Sequence, residues 1–452
     1  MTSLITQISS AFDIAPGSMS RRVLALAWPS VLEQSLLTLV GLVDVYIVGH
    51  LGAEAIAGVG LGNTILNLTA ALFGALGVGA TAVVAREIGA KRGREASIAA
   101  GQGILVAAAI GAIASTAAFF FAPSLITLYG GEPGVQIAGT AWLRASGPSF
   151  LFMGLMLVGS AAMRGAGDTR TPLVIMLISN AVNIVTAWTL TRGLGWNVTG
   201  NGLGVTLGHV VGGVLVLIVL FFRSNVVRIK LSDLEPDRAY IERIFNVGLP
   251  AGGEQLLLQS ALAYSAVLIT GFGTAAYAAH QIGLRVSALS YLPGWGFSIA
   301  ATTLVGQELG AKNPDGARAA STNSLIYAIL VMSGLGLLLL IFDEAIVRIF
   351  TTDASVIHEG VKAIRIAALI QPIMAYSFVH GGSLRGAGDT RSTMLITASS
   401  VWGLRIVVIY LLGTLLGLGI TGAWLAVGAD FAVRGVLFGI RWRGGKWASL
   451  RV

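Results

Sequence analysis

The chain is a succession of long apolar stretches, separated by short loops that hold most of its charged residues. A helix of about 20 residues crosses the hydrocarbon layer of a bilayer, and several stretches of that length hold few or no charges. The strand-like alternation of a membrane barrel does not occur. The pattern predicts about twelve spanning helices, near residues 22–48, 57–85, 98–122, 138–162, 172–191, 202–222, 247–270, 277–306, 321–342, 360–383, 393–416 and 420–440.

The two halves of the chain repeat one another. The heptapeptide RGAGDTR begins at Arg164 and again, 221 residues later, at Arg385, and the same shift places Glu33 on Glu254. A duplicated unit of six spans enters the membrane twice from the same side, so the repeats are parallel. The sequence therefore predicts an all-α integral membrane protein of two six-helix bundles. Their boundaries are an N-lobe of residues 1–222, a cytoplasmic linker of residues 223–246 and a C-lobe of residues 247–452.

Composition narrows the class of protein. Apolar residues make up 55% of the 452 residues and charged residues only 11%, so most of the surface is expected to face lipid. Sixty glycines suit close helix packing in a membrane. The absence of cysteine excludes disulfides and thiol chemistry. Nucleotide motifs, metal-ligand clusters and catalytic triads are missing from the sequence, so neither an enzyme nor a bound cofactor is expected.

The net charge of +8 is explained by topology rather than by nucleic acid. Basic residues concentrate in alternate loops, which places both termini in the cytoplasm. Residues 1–20 hold no apolar run of the signal-peptide kind, so the first span is expected to anchor the protein. Residues 343–359 are too polar to span the membrane and predict an amphipathic helix at the outer surface.

Ordered motifs carry a family resemblance across almost the whole chain. The first half contains WPSVLEQSLLTLVGLVDVYIVGHLG, AREIGAKR and RGAGDTRTP. The second half contains GLPAGGEQ, YLPGWGFSIAATTLVGQELGAKNPDGA and RGAGDTR. Together they resemble the multidrug and toxic compound extrusion (MATE) transporters, and most closely the bacterial branch similar to DNA-damage-inducible F proteins.

The resemblance implies a fold, an activity and partners. The two bundles would enclose a central cavity and work by alternating access. The activity would be antiport of drugs or other amphiphilic organic compounds against protons, or less favourably sodium ions. The partners would be the amphiphilic substrate and membrane lipid, the protein a monomer, and the location the cytoplasmic (inner) membrane. The coupling ion would be the only cofactor.

Asp44 is the first candidate for cation coupling. It lies in the apolar segment VGLVDVYIVG of the first predicted span. Acids inside a membrane are rare, usually face a cavity and carry function, because an ionised carboxylate is costly there. The alternative is a structural hydrogen bond to a neighbouring helix. In the family, the matching aspartate is the coupling residue of the N-lobe.

Polar residues of the fifth and sixth spans are candidate partners of Asp44. Asn183 matches a family position that partners the aspartate, Asn180 lies three residues before it, and Thr206 is a weaker candidate. Ala187 stands where related branches carry a second acid, which removes a sodium ligand. The alternative is that these side chains only hold helices together.

Glu33 and Glu254 are the next candidates, each four residues after a proline. The sequence predicts that Pro29 and Pro250 occupy first helical turns. A structural role near the cytoplasmic mouth is favoured over gating, because Glu33 lies 11 residues from Asp44, or about 16 Å along a helix. The other candidates for cavity lining or gating are Gln34, Gln255, Gln259, Tyr264, His280, Gln281 and Arg285.

The remaining charged positions have structural interpretations. In the RGAGDTR loops, glycine is expected to form the turn, and Asp168 or Asp389 to pair with a flanking arginine or cap the next helix. Asp430 and Arg434 lie one turn apart and are expected to neutralise each other.

Two competing classes remain. A lipid-linked oligosaccharide flippase of the same architecture would need cations for a diphosphate, and Arg144, Arg285, Arg365 and Arg405 leave room for one. An intramembrane transferase would need a converging catalytic cluster, which the sequence does not indicate.

Overall fold

The structure is a computed structural model that describes residues 15, 17–223 and 227–450. Those residues are almost entirely helical. The α-helices are α1 (Met19–Gly49), α2 (Ala53–Gly89), α3 (Gly93–Phe120), α4 (Ala122–Thr127), α5 (Pro133–Ser146), α6 (Ser149–Gly165), α7 (Arg170–Trp188), α8 (Asn197–Ile218), α9 (Arg238–Thr270), α10 (Thr274–Gly310), α11 (Pro314–Ile341), α12 (Asp343–Phe350), α13 (Ala354–Leu369), α14 (Gln371–Gly386), α15 (Thr390–Ala398), α16 (Ile406–Val408) and α17 (Gly419–Arg443). Wider π-helical turns form Thr189–Gly193, Val219–Arg223, Ser399–Arg405 and Ile409–Leu415.

The helices have the lengths and apolarity that a membrane requires. Eight spans in the described part of the chain are long and apolar enough to cross, and two bent helix pairs raise that number to ten. Helices α9 and α10 are long enough, at 33 and 37 residues, but carry more polar side chains. The predicted all-α membrane fold is confirmed, and these helices are consistent with twelve spans.

The fourth and tenth predicted spans are bent rather than continuous. Helices α5 and α6 meet at 56°, and their repeat equivalents α13 and α14 meet at 51°. Pro148 precedes α6, and α14 has a proline in its first turn. Proline lacks the backbone donor that would continue the preceding helix, so each pair breaks at that point. The predicted spans at 138–162 and 360–383 therefore each correspond to a bent helix pair.

The prediction for Pro29 and Pro250 was wrong, since both lie inside long helices rather than in first turns. The helices begin earlier because polar residues anchor their starts. Arg22 of α1 bonds a glutamate of α10. Its repeat equivalent, Arg243 of α9, bonds Glu87 of α2 at 2.6 Å.

Packing divides the chain into two compact units. The N-unit comprises Leu32–Gly252, and the C-unit comprises Gly253–Val452 with the residues up to Val31. Both boundaries within α1 and α9 fall two residues after the proline of that helix. The lobes drawn from the sequence repeat remain a prediction.

The predicted linker is bound to the N-unit over its described part. Gln102 of α3 donates to the carbonyl oxygens of Asp233 and Glu235 at 2.7 Å each. Arg94 of α3 also bonds the Asp233 carboxylate, at 2.6 Å. These bonds satisfy the backbone of a segment that forms little regular structure. Residues 1–14, 16, 224–226 and 451–452, on which parts of the predicted termini and linker fall, lie outside the described residues.

The segment 343–359 is not one helix, so the prediction of an amphipathic helix holds only for its first part, α12. Helix α12 ends at Phe350 and α13 begins at Ala354. Asp353 separates them because its carboxylate accepts the backbone N–H groups of Ser355 and Val356, which caps the new helix. Hydrogen bonds from the Ser355 side chain and then from its backbone lower the pKa of Asp353.

Candidate functional site

Two amides converge on Asp44 in the N-unit. Asn183 Nδ2, on α7, lies 3.5 Å from one carboxylate oxygen, and Asn201 Nδ2, on α8, lies 3.5 Å from the other. Both contacts are long for hydrogen bonds, so they orient the carboxylate without holding it tightly. Asn183 and Asn201 are buried, whereas Asp44 is only partly buried.

A tryptophan fixes the orientation of one of these amides. Trp142 on α5 donates its indole N–H to Asn201 Oδ1 at 2.7 Å, and both side chains are almost completely buried. An indole nitrogen can only donate, so the amide oxygen must face Trp142 and its NH₂ group must face Asp44. Asn201 is thereby held as a hydrogen-bond donor to the carboxylate.

A glycine stripe on α8 allows the two amides to approach. Gly204 lies against Ala187 of α7, where an added Cβ would come within 2.6 Å of the alanine methyl. Gly208 lies equally close, with 2.8 Å from such an atom to the Asn183 Cβ. Small residues at four-residue spacing let helix backbones approach closely in a membrane. The glycines therefore allow α8 to pack closely against α7 beside Asp44.

A model of the MatE family matches residues 29–189 and 250–411, once in each half of the chain. The chain belongs to the MATE family. It is accordingly a membrane transporter and not an enzyme, as the motifs predicted. The two matched segments follow the sequence repeat and together contain Asp44, Asn183 and the greater part of the long α9 and α10 helices.

Curated MATE relatives match along nearly their full length. The probable multidrug resistance protein NorM of Thermotoga maritima is 30% identical over 437 residues, which cover 96% of this chain and 94% of the relative. The multidrug resistance protein MdtK of Yersinia enterocolitica is 28% identical, with 94% and 95% covered.

Solved MATE structures share the fold. A multidrug resistance MATE transporter in an outward-facing conformation superimposes with a TM-score of 0.88 at 22% identity, covering 94% of this chain and 95% of the other. A MATE transporter in a bent conformation gives a TM-score of 0.89 at 22% identity, with 95% of each chain covered. At such identities the likeness extends to the fold alone.

The structure brings together some of the predicted coupling residues but not all. Asn183 reaches Asp44, while the Asn180 NH₂ group is buried without a hydrogen-bond partner among the described residues. Thr206 donates its hydroxyl to the carbonyl of Ala145 at 2.7 Å rather than to Asp44. The coupling roles of these residues remain predictions.

Glu33 forms a buried ion pair with an arginine of the RGAGDTR motif. Its Oε1 lies 2.8 Å from Arg164 Nη1, and both side chains are largely shielded from solvent. Its second oxygen, Oε2, is buried without a hydrogen-bond partner in the described part of the chain. Gln34 beside it is partly buried.

Glu254 forms the equivalent pair in the C-unit, and that pair is more complete. Arg385 lies 3.2 Å from Glu254 Oε1. Thr393 and Thr397 each donate a hydroxyl to the carboxylate at 2.9 Å. The repeat places Pro172 at the position of Thr393 and a methionine at that of Thr397, so Glu33 lacks both hydroxyl donors.

The other predicted cavity residues lie on α9 and α10 of the C-unit. Tyr264 is exposed and stacks on Trp402, with ring centres 5.9 Å apart. His280 is buried with its ring 5.8 Å from Trp424. Arg285 is exposed on the unit surface. Gln255 and Gln281 are partly buried and Gln259 is exposed.

The RGAGDTR loops are turns, as predicted. Gly167 and Gly388 have φ values of 93° and 85°, which favour glycine. Asp168 accepts the backbone N–H groups of the two residues that begin α7. Asp389 instead pairs with Arg441 of α17 at 2.6 Å, so the expectation of a flanking partner was wrong for this copy.

Sequence reasoning missed Trp142, Asn201 and the arginine partners of the two glutamates. An asparagine and a tryptophan are individually unremarkable in apolar helices, and their contact spans 59 residues. The repeat contains a signal for the ion pairs, because both halves of the chain have a glutamate and, 131 residues later, an arginine. That shared separation follows from the repeat.

Proposed function

We propose that this MATE transporter is a proton-coupled antiporter that exports amphiphilic organic compounds, with Asp44 as the residue that exchanges the proton. The convergence of Asn183 and Asn201 on Asp44 carries the proposal. Amide donors stabilise an ionised carboxylate, and protonation weakens that interaction. Protonation therefore changes the hydrogen bonds that join α1 to α7 and α8. Because these bonds differ between conformations of the N-unit, the proton binds those conformations with different affinity.

The ligands around Asp44 favour a proton over sodium. A sodium ion needs several oxygen ligands, whereas a proton needs only the carboxylate. Asn201 Oδ1 is engaged by Trp142, and the Thr206 hydroxyl is directed to a backbone carbonyl. Ala187 supplies no oxygen and is packed against Gly204, which leaves little room for a longer side chain. Asn183 Oδ1 is the remaining amide oxygen near Asp44 without a partner in the described residues.

The nature of the substrate rests on the relatives. NorM of Thermotoga maritima and MdtK of Yersinia enterocolitica are named multidrug resistance proteins, and both align over nearly the whole chain. Cavities that accept many compounds select by shape and scattered aromatic contacts rather than by one motif. An amphiphilic drug or metabolite is therefore the proposed substrate class, and the protein is expected to act as a monomer in lipid.

Reconstitution in liposomes tests the proposal. Dye or drug efflux is measured under an imposed proton gradient and, separately, under a sodium gradient. Wild type should respond to the proton gradient, and Asp44→Asn should abolish that response while remaining folded. Asp315→Asn, at an exposed helix start, is the matched control and should transport normally. Normal proton-driven efflux by Asp44→Asn would refute the assignment, and efflux driven only by sodium would refute the choice of ion.

Basic loops support an inner-membrane location with cytoplasmic termini. The chain contains no cysteine, so single cysteines can report the side on which a loop lies. Ser232→Cys, in the linker, should react with an impermeant maleimide only from the cytoplasmic side. Thr352→Cys, between α12 and α13, should react only from outside. Both side chains are exposed, and the reverse labelling would overturn the topology.

The flippase alternative is supported less well. Two of the four arginines considered for a diphosphate are engaged by carboxylates, Arg365 by Asp343 and Arg405 by Asp430. Asp343 balances the charge of Arg365, and Arg405 is buried where a diphosphate attached to a lipid would not reach it. Movement of a labelled lipid-linked oligosaccharide in the same liposomes, without drug exchange, would favour the flippase.

A further inference from the structure

A group of buried charged residues in the C-unit differs from the simple pair that the sequence predicts. The arginine cluster consists of Ser400, Arg405, Asp430, Phe431 and Arg434. Arg405 lies 2.6 Å from the Asp430 carboxylate, and Arg434 contacts the same oxygen. Ser400 donates to the other oxygen at 2.5 Å. Asp430 therefore neutralises two arginines rather than one, and the prediction of a self-contained pair with Arg434 was incomplete.

The arginine cluster carries an uncompensated positive charge inside a membrane unit. Asp430 is fully buried, and Arg405 and Arg434 are 3% and 6% exposed. No second carboxylate forms an ion pair with either arginine within the described ranges. A charge away from water requires a partner of opposite sign or access to water. One carboxylate supplies only half of what the two guanidinium groups require.

Donors remain unused in the same place. The Nε atoms of Arg405 and Arg434 are buried and have no hydrogen-bond partner among the residues described. Both guanidinium groups also lie near the ring of Phe431, at 5.8 and 4.7 Å from its centre. A ring face attracts cations but accepts no strong hydrogen bond. A small anion would accept hydrogen bonds from the free N–H donors and would also balance the excess positive charge.

The sequence repeat indicates that α17 can pack against the helical segment Ser399–Arg405 without the arginine cluster. In the N-unit, Ser179 of α7 donates to the carbonyl of Gly208 on α8 at 2.7 Å. In the C-unit, the Ser400 hydroxyl lies 3.0 Å from the carbonyl oxygen of Asp430, and its one hydrogen is shared between that oxygen and the carboxylate. Glycine thus stands in the N-unit where Asp430 stands in the C-unit. The charged side chains are an addition to a packing scheme that works without them.

We propose that the arginine cluster binds one small monovalent anion, either chloride or the carboxylate of an organic anion no larger than acetate. The anion completes the charge balance and accepts the free guanidinium N–H groups. The site is distinct from Asp44, since it lies wholly in the C-unit. Its occupancy can be measured without transport, so its test is independent of the proposed proton coupling.

Thermal unfolding of the purified full-length protein tests this site. Unfolding is followed in sodium chloride, sodium acetate and sodium gluconate at one pH and one ionic strength. A ligand that binds only the folded protein raises its unfolding temperature in a saturable way. Wild type should show such a rise in chloride, acetate or both, relative to the bulky gluconate. A rise in chloride alone identifies an inorganic ion, and a rise in acetate alone identifies a carboxylate.

Two variants make opposite predictions. Arg405→Met leaves a balanced pair of Asp430 and Arg434, so the anion-dependent rise should be lost while the protein stays folded. Asp430→Asn leaves two unpaired arginines, so the anion-dependent rise should increase. Arg434→Met provides a second test of the loss if Asp430→Asn does not fold. Arg238→Met, at an exposed pair on the start of α9, should keep the wild-type response.

A purely structural cluster gives a different result. Each variant would then change the unfolding temperature equally in all three salts. Wild type that unfolds at one temperature in every salt, or an Arg405→Met variant that retains the full rise, would overturn the proposed anion site.

Discussion

Trp142 holds the Asn201 carboxamide in one orientation through its indole N–H, 2.7 Å from Oδ1. The consequence is that Asn201 can offer Asp44 only hydrogen atoms. Trp142→Phe removes the donor and frees the amide to turn. We expect it to cost about 1–3 kcal/mol, because the buried amide oxygen is left unsatisfied. Proton-driven efflux should fall, and its dependence on pH should change shape.

The change in pH dependence distinguishes orientation from mere destabilisation. A destabilised but normally oriented site would lose active protein without altering the pH profile. Trp196→Phe is the matched control, since Trp196 is about half exposed and has no part in the site. Its pH profile should match wild type. An unchanged profile in Trp142→Phe would show that the indole does not orient Asn201.

Three asparagines provide a comparison within one pair of helices. Asn183 and Asn201 contact Asp44, whereas Asn180 does not form a bond with it in the described structure. Asn183→Leu or Asn201→Leu should therefore reduce proton-driven efflux. The reduction should be on the order of tenfold if about 1.4 kcal/mol of the free energy that orients the Asp44 carboxylate is lost. Asn180→Leu should keep most of the activity. Equal losses at all three positions, measured in proteoliposomes, would contradict the assigned geometry.

The glycine stripe predicts a steric effect. An added Cβ at Gly204 would lie 2.6 Å from the Ala187 methyl, so Gly204→Ala must push α8 away from α7. We expect a loss of about 1–3 kcal/mol from overpacking, together with reduced efflux. Gly74→Ala in α2 meets no atom within 4 Å and is the control. It should unfold at or slightly above the wild-type temperature.

The buried pair of Glu33 and Arg164 predicts a coupled response. Glu33→Gln or Arg164→Gln alone removes one charge of the buried ion pair, which costs about 3–5 kcal/mol. The double variant leaves no charge and should be more stable than either single variant, measured by thermal unfolding. Arg238→Gln breaks an exposed pair and should change little. Additive losses in the double variant would mean that the two side chains stabilise the fold separately.

Much of the fold could be predicted because apolar length and loop charge determine membrane spans. The bends between α5 and α6 and between α13 and α14 were harder, since both halves of each bent pair are apolar and only the prolines mark the break. Pro29 and Pro250, in contrast, predict helix starts where the structure has continuous helix. Proline is common in the first turn of helices, but here salt bridges of Arg22 and Arg243 extend each helix upstream.

The candidate site could be predicted only in part. Asp44 stands out because a carboxylate in an apolar span has few harmless explanations. Asn183 could be added only through the family resemblance. Asn201 and Trp142 could not be selected, because the rotation of α8 about its axis depends on glycine contacts with α7 that the sequence does not reveal. Arg405 and Asp430 lie on different helical segments, and no helical spacing connects them.

The π-helical turn Ser399–Arg405 holds one residue more than the corresponding segment of the N-unit. Ser179 and Ser400 make equivalent bonds 221 residues apart. Farther along, Gly200 lies against Thr191 as Gly422 lies against Gly413, and those positions are 222 apart. A π turn holds one residue more than an α turn, so it absorbs the addition without shifting the contacts on either side. Removing a single residue between Ser400 and Arg405 would restore the register of the other half and swing the guanidinium roughly 100° around the helix axis, off its carboxylate.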